Sequence, residues 1–160
     1  MVNDWRDVRP QVLGVVRCGD ELLVEFYEGS DEQFYRPLGG GIEFGESSEN
    51  AVVREFDEEL GMAVEPGAVL GTIENQFRWD GERFHEIAIV REIRFRDDAA
   101  YDREQFTVEE SDGSRRTATW EPLDSFGAGK LLLPAGIEEL IQSERSHLHS
   151  PARDTGSRSE

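Results

Sequence analysis

The sequence predicts an α+β fold in which a mixed β-sheet packs against helices as a sandwich. Three observations support this class. The length of 160 residues suits one domain with its own core. Short apolar or alternating segments bounded by turn residues predict strands, and two segments have helical spacing instead. The helical segments lie between and after the strands, an order typical of packed layers of sheet and helix.

The first part of the chain predicts three strands. Residues 11–18 and 21–28 are mainly apolar and flank Gly19 and Asp20, so a hairpin is expected there. Residues 33–38 predict a third short strand. Pro37 lacks a backbone N–H, and it therefore places the end of this strand at a sheet edge.

A helix is expected over residues 48–60. Ser47 suits the N-cap, because its hydroxyl can accept a hydrogen bond from a free N–H of the first turn. Gly61 suits the C-cap, where a left-handed backbone is common. The glycines at 39–41 come before the helix and permit close approach of a ligand to the main chain.

The second part of the chain predicts a hairpin, a further strand and a last helix. Asp80 and Gly81 form a strong signal for a tight hairpin turn. The last helix is expected over 134–144, with Pro134 near its first turn. The strands expected in this part cover residues 68–79, 84–95 and 115–123.

The domain is expected to cover residues 1–145. Residues 146–160 are rich in Ser, Arg and Asp and lack apolar periodicity, so a disordered tail is expected there. The formal net charge of −18 argues against a broad nucleic-acid surface or an anionic-membrane surface. No apolar run approaches the ~18 residues that would cross a bilayer, and a cytoplasmic protein is expected.

The acidic cluster REFDEE occupies residues 54–59. At about 100° per residue, Glu55, Glu58 and Glu59 lie on one face of the helix, beside an apolar stripe that includes Phe56. Asp57 points away from them. A solvated acidic face is one interpretation. Three converging carboxylates beside a packed stripe favour the other, a site for Mg²⁺ or Mn²⁺, since hard cations prefer oxygen ligands.

This segment resembles the signature of the Nudix hydrolases (the MutT-like family), which combines a glycine, a spaced glutamate, Arg-Glu, a hydrophobic residue, Glu-Glu, a glycine and a hydrophobic residue. Every fixed position is satisfied between residues 40 and 62. The variable position falls on Asp57. The matching residues are Gly40, Glu46, Arg54, Glu55, Phe56, Glu58, Glu59, Gly61 and Met62.

The resemblance implies an α/β/α sandwich with a mixed sheet and a catalytic loop–helix–loop. It implies a metal-dependent pyrophosphohydrolase (a pyrophosphatase acting on phosphoric anhydrides) that cleaves a diphosphate linkage in a nucleoside di- or triphosphate or a nucleoside diphosphate derivative. Carried over by position, the ligands of Mg²⁺ or Mn²⁺ would be Glu55, Glu58, Glu59 and the carbonyl of Gly40. Arg54 would orient the helix carboxylates.

The general base is left open by the resemblance, which permits a glutamate of the helix or one from a later loop. Glu55 is the first choice. Glu109 and Glu110 are alternatives, although solvated surface acids are the simpler interpretation of both. His85 lies in a predicted strand before Glu86, where a half-buried structural histidine is expected rather than a catalytic one.

The substrate is not determined by the signature. Phe77 and Trp79 stand where some subfamilies carry other marker residues, and their rings can stack on a base. Arg78, like Arg83 and Arg91, can hold a distal phosphate. The ordinary role of the aromatic residues is packing in the core, and that of arginines on strands is a solvated surface position.

Three other functions fit the sequence less well. A non-catalytic Nudix-type domain that binds nucleotides or regulates a partner is the main alternative, but such domains usually lose glutamates of the signature. Isopentenyl diphosphate isomerisation would want a cysteine and further histidines in the site. RNA decapping is disfavoured by the net charge. An exposed strand edge is compatible with a homodimer.

Overall fold

The computed structural model describes residues 7–143, so the predicted tail at 146–160 lies outside the described residues. This part of the chain contains nine strands and two α-helices. The strands are β1 (Arg9–Val15), β2 (Arg17–Cys18), β3 (Glu21–Glu28), β4 (Gln33–Arg36), β5 (Leu38–Gly41), β6 (Val64–Trp79), β7 (Glu82–Phe95), β8 (Gln105–Glu109) and β9 (Arg115–Pro122). The helices are α1 (Ser48–Leu60) and α2 (Ile137–Ser143), with short 3₁₀ turns at Asp98–Asp102 and Leu123–Ser125.

The strands form two sheets. The first has the order β5-β1-β7-β6, and the second has the order β2-β3-β9-β8 with β4 also paired to β3. The β1 and β7 strands are parallel, whereas their other neighbours in the first sheet are antiparallel. The predicted mixed sheet is therefore confirmed.

Strand β1 is buried on both faces. Val12 packs in a cluster with Phe56 of α1, whereas its neighbour Leu13 packs in a second cluster with Ile137 and Ile141 of α2. Because successive residues of a strand point to opposite faces, the two helices cover opposite sides of this strand. The predicted α+β sandwich is confirmed by this arrangement.

Helix α1 begins and ends where the sequence predicts. The Ser47 hydroxyl accepts a hydrogen bond from the N–H of Asn50 at 3.1 Å. Gly61 has φ 67° and ψ 27°, the left-handed C-cap geometry. Since Val52 and Phe56 are fully buried, the predicted apolar stripe holds one side of the helix against the sheets.

The first predicted hairpin is only partly right. The chain turns at Gly19, but only Arg17 and Cys18 pair with β3, since β1 belongs to the other sheet. The strand expected at 33–38 is divided at Pro37 into β4 and β5, which pair with different strands. Residues at the crossover from one sheet to the other look like ordinary strand in the sequence.

Two further differences concern the second part of the chain. Strand β8, which had no counterpart in the sequence prediction, ends at Glu109. The last helix begins at Ile137 rather than 134, because Gly136 has φ 97° and cannot continue into a right-handed helix. No helix among residues 7–143 combines the length and apolar character that a membrane crossing requires.

The hairpin of β6 and β7 is confirmed, with its turn at Asp80 (φ 49°) and Gly81 (φ 83°). Strand β1 begins at Arg9, opposite Glu86. Residues 76–85, here called the outer hairpin, therefore lie beyond the start of β1. Its turn is held by Asp80, whose carboxylate accepts hydrogen bonds from the N–H and hydroxyl of Ser30 at 3.3 and 3.4 Å.

Candidate active site

The three glycines of β5 bring the main chain close to its neighbours. A Cβ atom on Gly39 would lie 1.9 Å from the carbonyl oxygen of Val12, so this glycine permits the pairing of β5 with β1. A Cβ atom on Gly40 would lie 2.4 Å from Cδ of Glu55. Gly40 therefore leaves space that the Glu55 carboxylate occupies, and the two predicted ligand positions are brought together.

Arg54 joins the loop to the helix. Its Nε and Nη2 donate to the two carboxylate oxygens of Glu46 at 2.7 and 2.9 Å, and Nη2 also donates to the Gly41 carbonyl at 2.8 Å. Its Nη1 donates to Glu55 at 3.0 Å and to Glu58 at 3.2 Å. One guanidinium thus fixes three carboxylates and the end of β5, an arrangement suited to the planar fork of arginine.

Glu46 supports the loop and does not face the cavity. Its carboxylate accepts hydrogen bonds from Arg54 and from the backbone N–H of Glu43, and these contacts lower the pKa of Glu46 to about 2. Because hydrogen bonds to the ionised form stabilise it, Glu46 stays charged. The geometry agrees with the structural role that the resemblance implies.

The acidic cluster on α1 is divided as the helical wheel predicts. Glu55 and Glu59 face inward, and the side chain of Glu58 is 57% exposed at the rim of the site. Asp57 is exposed and does not line the cavity. Burial raises the pKa of Glu55, although the hydrogen bond from Arg54 opposes this effect.

Two acids from outside the helix join Glu59. Glu25 of β3 is 2% exposed and Glu110 follows β8, with its side chain 17% exposed. Arg116 of β9 lies 2.9 Å from Glu110 and 3.9 Å from Glu25. The sequence interpretation of Glu110 as a solvated acid was therefore wrong, whereas that of the exposed Glu109 holds, with a 3.4 Å ion pair to Arg115.

The role of Glu25 was missed at the sequence level. Its signal is a carboxylate in the middle of the apolar segment LLVEF. Burial raises the pKa of Glu25 to about 9, with a further contribution from the neighbouring Glu110 carboxyl. Burial also raises the pKa of Glu59 to about 10, with the charges of Glu110 and Glu25 as the next causes.

The chemistry of this donor set fits a hard cation. The Oε1 atoms of Glu25 and Glu59 are buried and accept no hydrogen bond within the described residues. An unpaired buried oxygen is costly, and a cation would satisfy it. Within residues 7–143, no three acidic, histidine or cysteine side chains already stand at coordinating distance, so the carboxylates would turn on binding.

The carboxylates line one end of a cavity of about 600 Å³. The other end is aromatic. Phe77 stacks on Phe84 with ring centroids 5.1 Å apart, and Trp79 packs edge-on against Phe34 at 5.0 Å. Phe77 and Trp79 thus lie in the same cavity as the acids. Arg78 points to the other face of the hairpin and lines a neighbouring cavity instead.

Glu86 is held in a structural network. Arg36 donates to both of its oxygens, with distances of 2.9 and 3.1 Å, and the Asn75 amide donates at 3.1 Å. Glu86 is buried and fully paired, which argues against a role as base. His85 is half-buried and lines the cavity.

Comparison with known proteins places these features in context. The model of the NUDIX domain matches residues 8–142. An RNA pyrophosphohydrolase from Ruthia magnifica subsp. Calyptogena magnifica is 30% identical over 73 residues, which is 46% of this chain and 41% of that protein. The chain thus spans less than half the length of this curated relative.

Solved structures share the fold. A MutT NUDIX hydrolase from Burkholderia pseudomallei has a TM-score of 0.62 at 24% identity, covering 86% of this chain and 98% of that one. A MutT protein from Methanosarcina mazei Go1 has a TM-score of 0.61 at 20% identity, covering 89% and 96%. At these sequence identities, the structural similarity shows that the chain shares the fold of these proteins.

Proposed function

Because this chain belongs to the Nudix family, we propose that it is a divalent-metal-dependent pyrophosphohydrolase. Its substrate class is a nucleoside di- or triphosphate or a nucleoside diphosphate derivative. Family membership confirms the predicted family and fold, and it supports the prediction of a Nudix pyrophosphatase. The RNA pyrophosphohydrolase relative supports the same class of reaction.

The observation that carries the proposal is the position of the helix carboxylates. Glu55 lies against Gly40, Glu59 is buried with an unpaired oxygen, and Glu58 stands at the rim of the same cavity. Arg54 restrains Glu55 and Glu58 from one side. Solubility alone gives no reason to bury and restrain carboxylates in this way, whereas a cation site does.

We assign the binding of Mg²⁺ or Mn²⁺ to Glu55, Glu58, Glu59 and the Gly40 carbonyl. When bound, the ion neutralises diphosphate charge and lowers the pKa of water. Arg54 holds Glu55 and Glu58 beside the site, which limits how far these two carboxylates have to turn on binding. The bound ion would also explain how a chain of net charge −18 accepts an anionic substrate.

Glu55 remains the proposed general base. Burial raises its pKa, and a pKa nearer the working pH favours proton transfer. Glu110 is the second candidate, but its 2.9 Å ion pair with Arg116 anchors its side chain. Aromatic residues at the far end of the cavity, Phe77 and Trp79, are proposed to contact the base of the nucleotide.

The experiment is a survey of substrates. The protein is incubated with nucleoside triphosphates, nucleotide sugars, ADP-ribose and dinucleoside polyphosphates, with Mg²⁺ or Mn²⁺, and products are followed by phosphorus NMR. Metal-dependent release of a nucleoside monophosphate is the expected result. A Glu59→Gln variant is the control, since it keeps the shape of the side chain and removes its ability to bind a cation as a carboxylate.

Absence of turnover on every substrate, with the Glu59→Gln variant equally inactive, would overturn the proposal in favour of a nucleotide-binding regulatory domain. The cytoplasmic location stays a prediction. The homodimer also stays a prediction, for which β6, an edge strand of the first sheet, offers the pairing edge.

A further inference from the structure

Arg36 lies on the wall of the active-site cavity and is held by one buried carboxylate. Its Nη1 and Nη2 atoms contact the two oxygens of Glu86 at 2.9 and 3.1 Å, and the Asn75 amide donates to Glu86 at 3.1 Å. The side chains of Arg36 and Glu86 are only 12% and 8% exposed. An unrestrained arginine side chain has many rotamers, so these contacts fix the direction of the guanidinium.

Arg36 keeps donors that no residue of the described chain uses. A guanidinium has five N–H donors, and Glu86 accepts one from Nη1 and one from Nη2. The Nε atom has no partner within residues 7–143, yet it is not among the polar atoms that are both buried and unpaired. Since Arg36 lines the cavity, its Nε–H is open to a bound ligand.

The two sheets that enclose the cavity show the same order of side chains. In each sheet, a cross-strand pair of polar residues is followed, two residues along each strand and hence on the same face, by a pair of aromatic residues. The polar pairs are Glu25 with Arg36 and Asn75 with Glu86, and the aromatic pairs are Tyr27 with Phe34 and Phe77 with Phe84. Arg36 therefore stands at the boundary between the acidic end and the aromatic end.

Strand register relates this boundary to the proposed cation site. Gly40 pairs with Val12, which pairs with Ile89 of β7. Glu86 lies three residues from Ile89 along the strand, which is about 10 Å at 3.3 Å per residue, and Phe84 lies further out. A ligand that extends from the cation site to the aromatic rings must therefore pass Arg36.

Stability gives little reason for this ion pair. Removing two charges from water costs free energy that their attraction often does not recover, and replacing a buried pair by uncharged residues of similar volume is often neutral. The two sheets are already joined by apolar clusters that contain residues of both. A contact with a charged ligand, in contrast, requires a cation at this position.

We propose that Arg36 binds the phosphate attached to the nucleoside of the substrate, and that Glu86 and Asn75 position its guanidinium. This inference rests on the proposed pyrophosphohydrolase function, which makes a nucleotide the ligand. At the boundary, such a ligand presents this phosphate, because its base lies toward the rings and its other phosphates lie toward the cation. A guanidinium N–H facing a phosphate oxygen forms a charge-assisted hydrogen bond.

Binding without metal isolates this contact. The ligands are adenosine, guanosine, cytidine and uridine and their 5′-monophosphates, all in EDTA, and dissociation constants are measured by ligand-observed NMR. The quantity compared is the Kd of a nucleoside divided by the Kd of its monophosphate. For the base that binds most tightly, we expect this ratio to be at least about tenfold larger in the wild type than in Arg36→Met/Glu86→Gln, in keeping with the strength of charge-assisted hydrogen bonds.

The double variant removes both charges, so it leaves no carboxylate unpaired and keeps the net charge. The matched control is Lys130→Met/Glu121→Gln, which removes another partly buried ion pair whose members do not line the cavity. The control should keep the wild-type ratio. In turnover, Arg36→Met/Glu86→Gln should raise KM at least about tenfold with a smaller effect on kcat. Glu86→Gln alone keeps Arg36 but loosens it, so KM should rise by a smaller factor.

A ratio that is equal in the wild type and in Arg36→Met/Glu86→Gln, or a wild type that gains nothing from the phosphate with any base, overturns the inference and leaves the proposed function intact. A difference in the ratio without turnover of any substrate supports the contact and refutes the pyrophosphohydrolase. Urea unfolding shows whether the double variant folds. If it does not, Arg36→Lys replaces it. An ammonium keeps the charge without the planar fork, so the ratio should fall at least about threefold, and an unchanged ratio refutes the contact.

Discussion

Substitution of the three glycines of β5 by alanine should separate folding from chemistry. A Cβ atom on Gly40 would lie 2.4–2.6 Å from the carboxylate atoms of Glu55, well inside van der Waals contact. The Glu55 side chain can turn away at a cost of about 1 kcal/mol, typical of an off-rotamer side chain. It would then leave both Arg54 and the proposed cation.

We therefore expect Gly40→Ala to lower the free energy of unfolding by about 1 kcal/mol and kcat/KM by about 10–100-fold, the range typical of disturbed metal ligands and their supports. The neighbours provide controls. In Gly41→Ala the nearest atom is 3.8 Å away, so activity should be unchanged. In Gly39→Ala the Cβ atom would lie 1.9 Å from the Val12 carbonyl oxygen, and overpacking should destabilise the fold by about 3 kcal/mol.

Urea unfolding gives the stability of each variant, and Mn²⁺ titration followed by electron paramagnetic resonance gives metal affinity independently of turnover. The decisive result is how the three glycine variants rank in stability, metal affinity and activity. Wild-type metal affinity and turnover in Gly40→Ala, or equal loss of activity in Gly41→Ala, would refute the placement of the Glu55 carboxylate against Gly40.

Three further predictions concern the same helix and loop. Glu59→Gln should abolish turnover without loss of unfolding free energy, because the amide keeps the shape of a carboxyl group whose pKa burial raises but cannot bind a cation as a carboxylate does. The exposed Asp57→Asn should keep the wild-type rate. Steady-state kinetics and urea unfolding test both, and a large loss in Asp57→Asn contradicts the face assignment. Arg54→Lys should reduce kcat/KM by about 10–100-fold, since an ammonium lacks the planar fork that binds Glu46 with two hydrogen bonds; retained activity would argue that charge alone is needed. The pKa of Glu46 is lowered from 4.5 to about 2, so its contribution to stability is present above pH 4.5 and lost as the pH falls toward 2. The difference in unfolding free energy between wild type and Glu46→Gln should therefore shrink across this range. A difference that stays constant with pH would exclude the linkage.

Local signals account for what the sequence predicted correctly. Helix α1 has its caps, apolar stripe and acidic face within one short segment. Each of these signals depends only on residues that are close in the sequence. The hairpin turn at Asp80 and Gly81 is equally local. The resemblance implied that Gly40 and Glu55 belong to one site. The structure gives the steric reason, since a Cβ atom on Gly40 would overlap the Glu55 carboxylate.

Other features depend on contacts between distant segments. The acidic group formed by Glu25 and Glu110 requires β3, β8 and β9 to meet, and no spacing in the sequence shows this. Arg78 and Phe77 are neighbours in the chain, but the alternation of a strand lets Phe77 line the acidic cavity while Arg78 does not. The division of the first predicted hairpin between two sheets also follows from tertiary packing alone.

The β6–β7 hairpin has a consequence for how relatives of this protein diverge. Its inner half supplies buried residues such as Val90 and Ile93, whereas its outer half supplies aromatic rings and arginines that line the two cavities. Mutations in the outer half leave the core and the signature helix untouched. Selection can therefore alter what is bound while keeping the chemistry constant, and exchange of residues 76–85 between family members becomes a route to redesigning specificity.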